Sequence, residues 1–176
     1  MILDFPYIRQ LEDYSCGSSC VQGILHYYGF DKVEEDDLIS YLLVTSENGT
    51  NPKNIKKLFQ KYGLNVISKK SNIDEIIENI SNKIPVILNL QAWSDKEEVD
   101  YTEDYDDGHY VVAIGFENDI LIFADPSHMY RTYLTHEEVN RRWHDKENEN
   151  EYNNYLAIFI SGRESEFSNR KFKKME

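Results

Sequence analysis

The sequence predicts an α+β domain, with helices in its first part and a mostly antiparallel sheet after them. Three observations carry this. Apolar residues recur at helical spacing behind Cys16 and again behind Pro52. From Leu64 onward the apolar runs are shorter and rich in Val, Ile, Tyr and Phe, as strands are. Two of these runs flank Glu117-Asn118-Asp119, which has the chemistry of a hairpin turn.

Taken in order, residues 16–28 form a helix, because Val21, Ile24, Leu25 and Tyr28 share one face and Gly29 supplies a stop. A helix over 34–43 opens with Glu34, Glu35, Asp36 and Asp37, which suit the positive end of the helix dipole. Thr50-Asn51-Pro52 starts a third, which carries Ile55, Leu58 and Phe59 inward and ends at Gly63. Leu64–Ser68 is a strand, 73–82 a short helix with Ile73, Ile76, Ile77 and Ile80 inward, and Pro85–Leu90 a buried strand. Strands over 109–116 and 120–124 make the hairpin, a helix near 136–143 is capped by Thr135, and a last strand covers 155–160. Residues 95–107 and 145–154 are poor in structure signals and read as solvated loops. A single domain over 1–162 is expected, followed by a polar, frayed tail over 163–176 whose basic residues are Arg163, Arg170, Lys171, Lys173 and Lys174.

Composition narrows the partners. The formal charge of −13 works against nucleic acid or an anionic membrane, which draw on clustered Lys and Arg. No apolar run reaches the ~18 residues of a membrane span, and the N-terminus lacks the basic start of a secretory signal, so a soluble, cytoplasmic protein is expected. The two cysteines, Cys16 and Cys20, stand one turn apart on one helix. That spacing suits neither a disulfide nor a zinc site. Asp104-Tyr105-Asp106-Asp107-Gly108 resembles a calcium loop but lacks its closing glutamate. No metal or cofactor is expected.

Chemistry concentrates in four residues. Cys16 lies at a helix N-terminus, where partial positive charge stabilises a thiolate, and Gly17 keeps the approach to its sulfur open. His109 begins an apolar strand, an odd place for an imidazole unless its ring meets a cleft, and Asp125 ends the strand that returns beside it. A hairpin centred on Asn118 sets Val111 opposite Asp125 and puts His109 and Asp125 on one face; a two-residue loop puts them on opposite faces. The apolar pattern leaves both registers open. In the first, Asp125 fixes the imidazole tautomer and the other ring nitrogen faces the thiol. Gln10 supplies a side-chain amide that can hold the oxyanion of a tetrahedral intermediate.

Gln10 six residues before Cys16-Gly17, then Gly108-His109-Tyr110-Val111-Val112, then Asp125-Pro126, resembles the papain-like cysteine peptidases that remove double-glycine leader peptides from bacteriocin precursors. The resemblance spans residues 4 to about 160 and implies a stand-alone papain-like domain with a cleft between its helical half and its sheet. It implies Cys16 as nucleophile, His109 as general base and acid, Asp125 as orienting residue and Gln10 as oxyanion donor, acting on a peptide or protein substrate. The substrate itself does not carry over, because the family's domain is usually fused to a transporter.

The same residues serve a transpeptidase, acyltransferase or deamidase equally well, and a non-catalytic peptide-binding module remains a rival. Cys20 is assigned to the core. His26, His128, His136 and His144 are read as surface or structural, and Trp143 as packing the last helix onto the sheet. Oligomeric state is left open.

Overall fold

A computed structural model describes residues 1–148, 151–169 and 174. Among the described residues five helices and eight strands run in the order α1 (Cys16–Tyr27), α2 (Glu35–Leu42), α3 (Pro52–Lys61), β1 (Asn65–Lys70), α4 (Ile73–Ser81), β2 (Val86–Gln91), β3 (Gly108–Glu117), β4 (Ile120–Ala124), β5 (Arg131–Thr135), α5 (His136–Arg142), β6 (His144–Asn148), β7 (Glu151–Asn154) and β8 (Leu156–Ser161), which includes every predicted element in its predicted place.

The helix starts are chemical. The Asn51 side chain accepts from the Lys53 N–H with Pro52 in the first turn, and the Asn72 side chain accepts from the Glu75 N–H. Thr135 and Glu138 form a reciprocal capping box at α5. Gly29 and Gly63, with φ of 85° and 73°, turn the chain out of α1 and α3 in a left-handed conformation that other residues rarely adopt.

Six strands form one antiparallel sheet in the order β1-β8-β2-β3-β4-β5. β2 is buried at every position, so its apolar run does not alternate. α1 lies against β3 with α2 beside it, α4 covers β2 and β3, and α5 packs on β5, β4 and β2. Trp143 is almost fully buried after α5, its indole N–H donating to the Leu156 carbonyl at 2.8 Å.

Three stretches are more ordered than the sequence suggests. β5 was not foreseen; it pairs with β4 from Ile120↔Thr135 to Ala124↔Arg131. The polar run expected to be a loop over 145–154 is largely a second hairpin, β6–β7, with residues 149 and 150 outside the described set. Its strands pair only with each other and β6 meets β2 through polar groups, so backbone pairing rather than apolar burial defines it. The acidic stretch 95–107 is tied down by Lys96, which bonds Asp104, Asp106 (3.3 Å) and Asp107 (3.8 Å), and by the His144 ring on the Asp104 carbonyl (2.8 Å).

After Gly162 the chain docks on α1. The Ser165 hydroxyl and the Glu166 N–H both donate to the Tyr27 carbonyl, and Phe167 packs against the core. Among the expected tail basics, Arg170, Lys171 and Lys173 lie outside the described residues. No described helix is long and apolar enough to cross a membrane.

Candidate active site

The hairpin between β3 and β4 combines both registers considered from sequence. Its loop is the two-residue one: Glu117 pairs with Ile120, Phe116 with Leu121 and Gly115 with Ile122. Continued unchanged, that register would send Asp125 to the face opposite His109. Instead Ile114 is an extra residue on β3, a β-bulge, after which Ala113 pairs with Phe123 and Val112 with Ala124. Beyond the bulge the register is the one centred on Asn118. The N-terminal residues clamp the bulged stretch, with the Leu3 N–H on the Ile114 carbonyl (2.8 Å) and the Phe116 N–H on the Met1 carbonyl (2.9 Å).

His109 and Asp125 therefore share a face, and His109 Nε2 lies 2.8 Å from Asp125 Oδ1. The carboxylate is fully used. Oδ1 also accepts the Ser127 N–H (2.9 Å), while Oδ2 accepts the Trp93 indole N–H (3.0 Å) and the Thr132 hydroxyl (3.2 Å). Burial disfavours the charged form of Asp125, but these bonds and the His109 charge hold its pKa below the ordinary value.

Pairing of β3 with β4 stops at Ala124, and the N-terminal turn of α1 takes the vacated place beside Tyr110. Cys16 Sγ accepts the Tyr110 N–H at 3.5 Å, and the Cys20 thiol donates to the Tyr110 carbonyl at 3.3 Å. Two thiols one turn apart thus bracket a single residue of β3. Both cysteines are free and buried. Burial first, then repulsion from Cys16, pushes the Cys20 thiol pKa well above its usual value, in keeping with its predicted core place.

Burial opposes the imidazolium, yet Asp125 above all, and then the neighbouring Cys16, outweigh it and raise the His109 pKa to about 9. With Nε2 on Asp125, Nδ1 is the ring nitrogen left for the sulfur.

Gln10 is held close to this group by main chain, its N–H donating to the Pro126 carbonyl at 2.9 Å. Its side-chain amide N–H groups point into its own turn, to the carbonyls of Glu12 (3.0 Å) and Asp13 (3.1 Å), and its Oε1 accepts from Ser127 Oγ (3.3 Å). The amide must release one of those carbonyls to serve an oxyanion.

Trp93, Ser127 and Thr132 were not foreseen. Ser127 had a signal, since an Asp commonly accepts the N–H two residues on. Trp93 had none: it lies in a loop, with φ of 60°, and its ring meets that of His128 at a tilt, 4.2 Å between centroids. His128 is accordingly more than a surface residue, its Nδ1 lying 3.7 Å from Asp125 Oδ2. No described cluster of His, Cys, Asp and Glu could hold a metal.

Comparison with known proteins identifies the fold and the family. No curated protein matches the sequence significantly. Solved structures similar in fold include a C39-like peptidase, so described, from Bacillus anthracis (TM-score 0.67, 18% identity, 93% of this chain and 98% of that one). Another is a double glycine motif protease from an AMS/PCAT transporter in complex with the leader peptide (TM-score 0.66, 19% identity, 92% and 94%). A third is the peptidase domain of Streptococcus ComA, a bi-functional ABC transporter involved in quorum sensing (TM-score 0.64, 21% identity, 90% and 100%). The fold is the papain-like one of these peptidase domains. The sequence profile of the Peptidase_C39 like family matches residues 2–151, and the chain belongs to that family.

Proposed function

We propose that the chain is a cysteine peptidase that hydrolyses a peptide bond through a thioester on Cys16, within a unit spanning residues 1–162. The observation that carries this is the His109 imidazole, bonded to a four-times-satisfied carboxylate and one residue along β3 from Tyr110, whose N–H reaches the Cys16 sulfur. His109 Nδ1 takes the proton from Cys16 Sγ, and the thiolate attacks the substrate carbonyl carbon. The Cys16 N–H at the start of α1 and the Gln10 amide, once it gives up one of its turn carbonyls, hold the oxyanion. As the C–N bond breaks, the imidazolium passes its proton to the departing amine. Water then attacks the thioester with His109 as base, the C–S bond breaks and the thiol is restored. Asp125 keeps Nε2 protonated throughout and stabilises the imidazolium.

A peptide substrate is suggested by the similar double glycine motif protease, solved in complex with the leader peptide. Free buried thiols fit a reducing compartment such as the cytoplasm. The test is mass measurement of candidate peptides incubated with the full chain and with Cys16→Ala, in the presence and absence of an added amine. Hydrolysed peptide that requires Cys16 is the expected result. Amide transfer to the added amine would move the assignment to an acyltransferase, and tight binding without turnover by both proteins would make it a binding module.

A further inference from the structure

A cleft of about 830 Å³ opens beside Cys16, walled by the 45–53 loop on one side and by Asn89, Gly108, Tyr110 and β6 on the other. Neither His109 nor Gln10 lines it. Register explains why. Asn89 pairs with Tyr110 and Gln91 with Gly108, so these side-chain positions share the face of the sheet opposite to the His109 ring. The leaving amine must sit at His109 to receive its proton. The cleft therefore receives the acyl side of the substrate.

Its floor is polar in an unusual way. The Asp145 carboxylate rests on Gly108, so close that a methyl group there would meet Oδ1 at 2.6 Å. Its hydrogen-bond donors are neutral amides: Asn89 Nδ2 donates to Oδ2 and Gln91 Nε2 to Oδ1 (3.3 Å). Among the described residues no Lys or Arg pairs with it, whereas Asp104, Asp106 and Asp107 share Lys96. Burial pushes the Asp145 pKa above the usual value, only partly offset by the Lys146 N–H, those side-chain amides and the neighbouring His144. A second, independent sign comes from Asn89. The residue is 5% exposed, its Oδ1 has no hydrogen-bond partner, and it lines the cleft. Thr50, also 5% exposed and with Oγ1 unpartnered, faces it from the other wall. Buried acceptors left unpaired cost stability unless a ligand satisfies them.

We infer that Asp145 and Asn89 Oδ1 form a subsite for a basic side chain, Lys or Arg, on the acyl side of the scissile bond and next to it. The inference rests on Cys16 being the nucleophile. A cationic group entering along the cleft would pair with Asp145 and donate a further N–H to Asn89 Oδ1, while the Thr50 hydroxyl meets the substrate main chain. The cleft's other acidic side chains, Asp13, Glu47 and Asp106, outnumber Lys53 and Lys146 when Asp145 is included, which favours a cationic guest.

The experiment compares rates of Cys16 alkylation in the full chain by peptidyl chloromethyl ketones that differ only in carrying Lys, Arg, norleucine or Glu, with iodoacetamide as a probe that needs no subsite. Lys and Arg probes are expected to react roughly tenfold or more faster than norleucine, the size of one charge-assisted hydrogen bond in a dry site. Asp145→Asn, which keeps the amide contacts and removes the charge, is expected to erase that difference and leave the iodoacetamide rate unchanged. Equal rates for Lys and norleucine in the unaltered chain, with iodoacetamide still reacting at Cys16, would overturn the subsite while sparing the nucleophile. Absence of Cys16 alkylation by every probe would overturn both.

Discussion

His109 Nε2 reaches Asp125 Oδ1 at 2.8 Å because Ile114 is an extra residue in β3. The two-residue turn alone would have placed the ring and the carboxylate on opposite faces of the sheet. Deleting Ile114 should separate them, and the His109 pKa should fall from about 9 toward 6.5. An NMR titration of the ring measures this, and an unchanged value would mean that the bulge does not set the pairing.

The bulge is held from outside by the chain start. A side chain at Gly115 would meet the Met1 carbonyl at 2.9 Å and Ile2 Cα at 3.1 Å, both backbone atoms that cannot swing away. Gly115→Val is therefore expected to cost about 1–3 kcal/mol in urea unfolding.

The His109–Asp125 pair makes stability depend on pH. The His109 pKa is raised on folding, so its contribution is full below about 6.5 and is lost as pH rises through about 9. The Asp125 pKa is lowered, so its contribution is present above about 3.8 and is lost as pH falls below that. Unfolding free energy should decline by roughly 3 kcal/mol from pH 6 to pH 10. His109→Gln should lack that decline.

Asp125→Asn preserves shape but can present the wrong tautomer to His109, and turnover should drop about 10²–10⁴-fold. Trp93→Phe removes only the indole donor to Oδ2. It should lower kcat several-fold and leave KM nearly unchanged as Asp125 loses one of the bonds that hold it in place.

Cys16 and Cys20 should behave differently toward iodoacetamide despite standing one turn apart. One adduct, on Cys16, is expected in the native protein, and a second, on Cys20, only after denaturation, because burial keeps that thiol protonated. Intact-mass measurement counts the adducts. Two rapid native adducts would contradict the assignment of Cys20 to the core.

The sequence by itself determined the helices and their order, since the helical spacing behind Cys16, the Asn51-Pro52 start and the Thr135 cap act within a few residues of where they are read. It also singled out the thiol, imidazole and carboxylate, because Cys16, His109 and Asp125 stand at the ends of apolar segments where such groups are costly without a purpose. Backbone-defined strands escaped it: β5, β6 and β7 bury little apolar surface, so no period marks them. The register between β3 and β4 escaped it as well. Both strands are apolar nearly throughout, and a bulge at Ile114 depends on the N-terminal residues pairing from far along the chain. Tertiary structure alone decided that Trp93 and Thr132 would complete the Asp125 carboxylate and that Asn89 and Asp145 would meet beside Cys16. Such contacts join residues whose separation in sequence carries no local signal, and only the closing of the sheet brings them within hydrogen-bond reach.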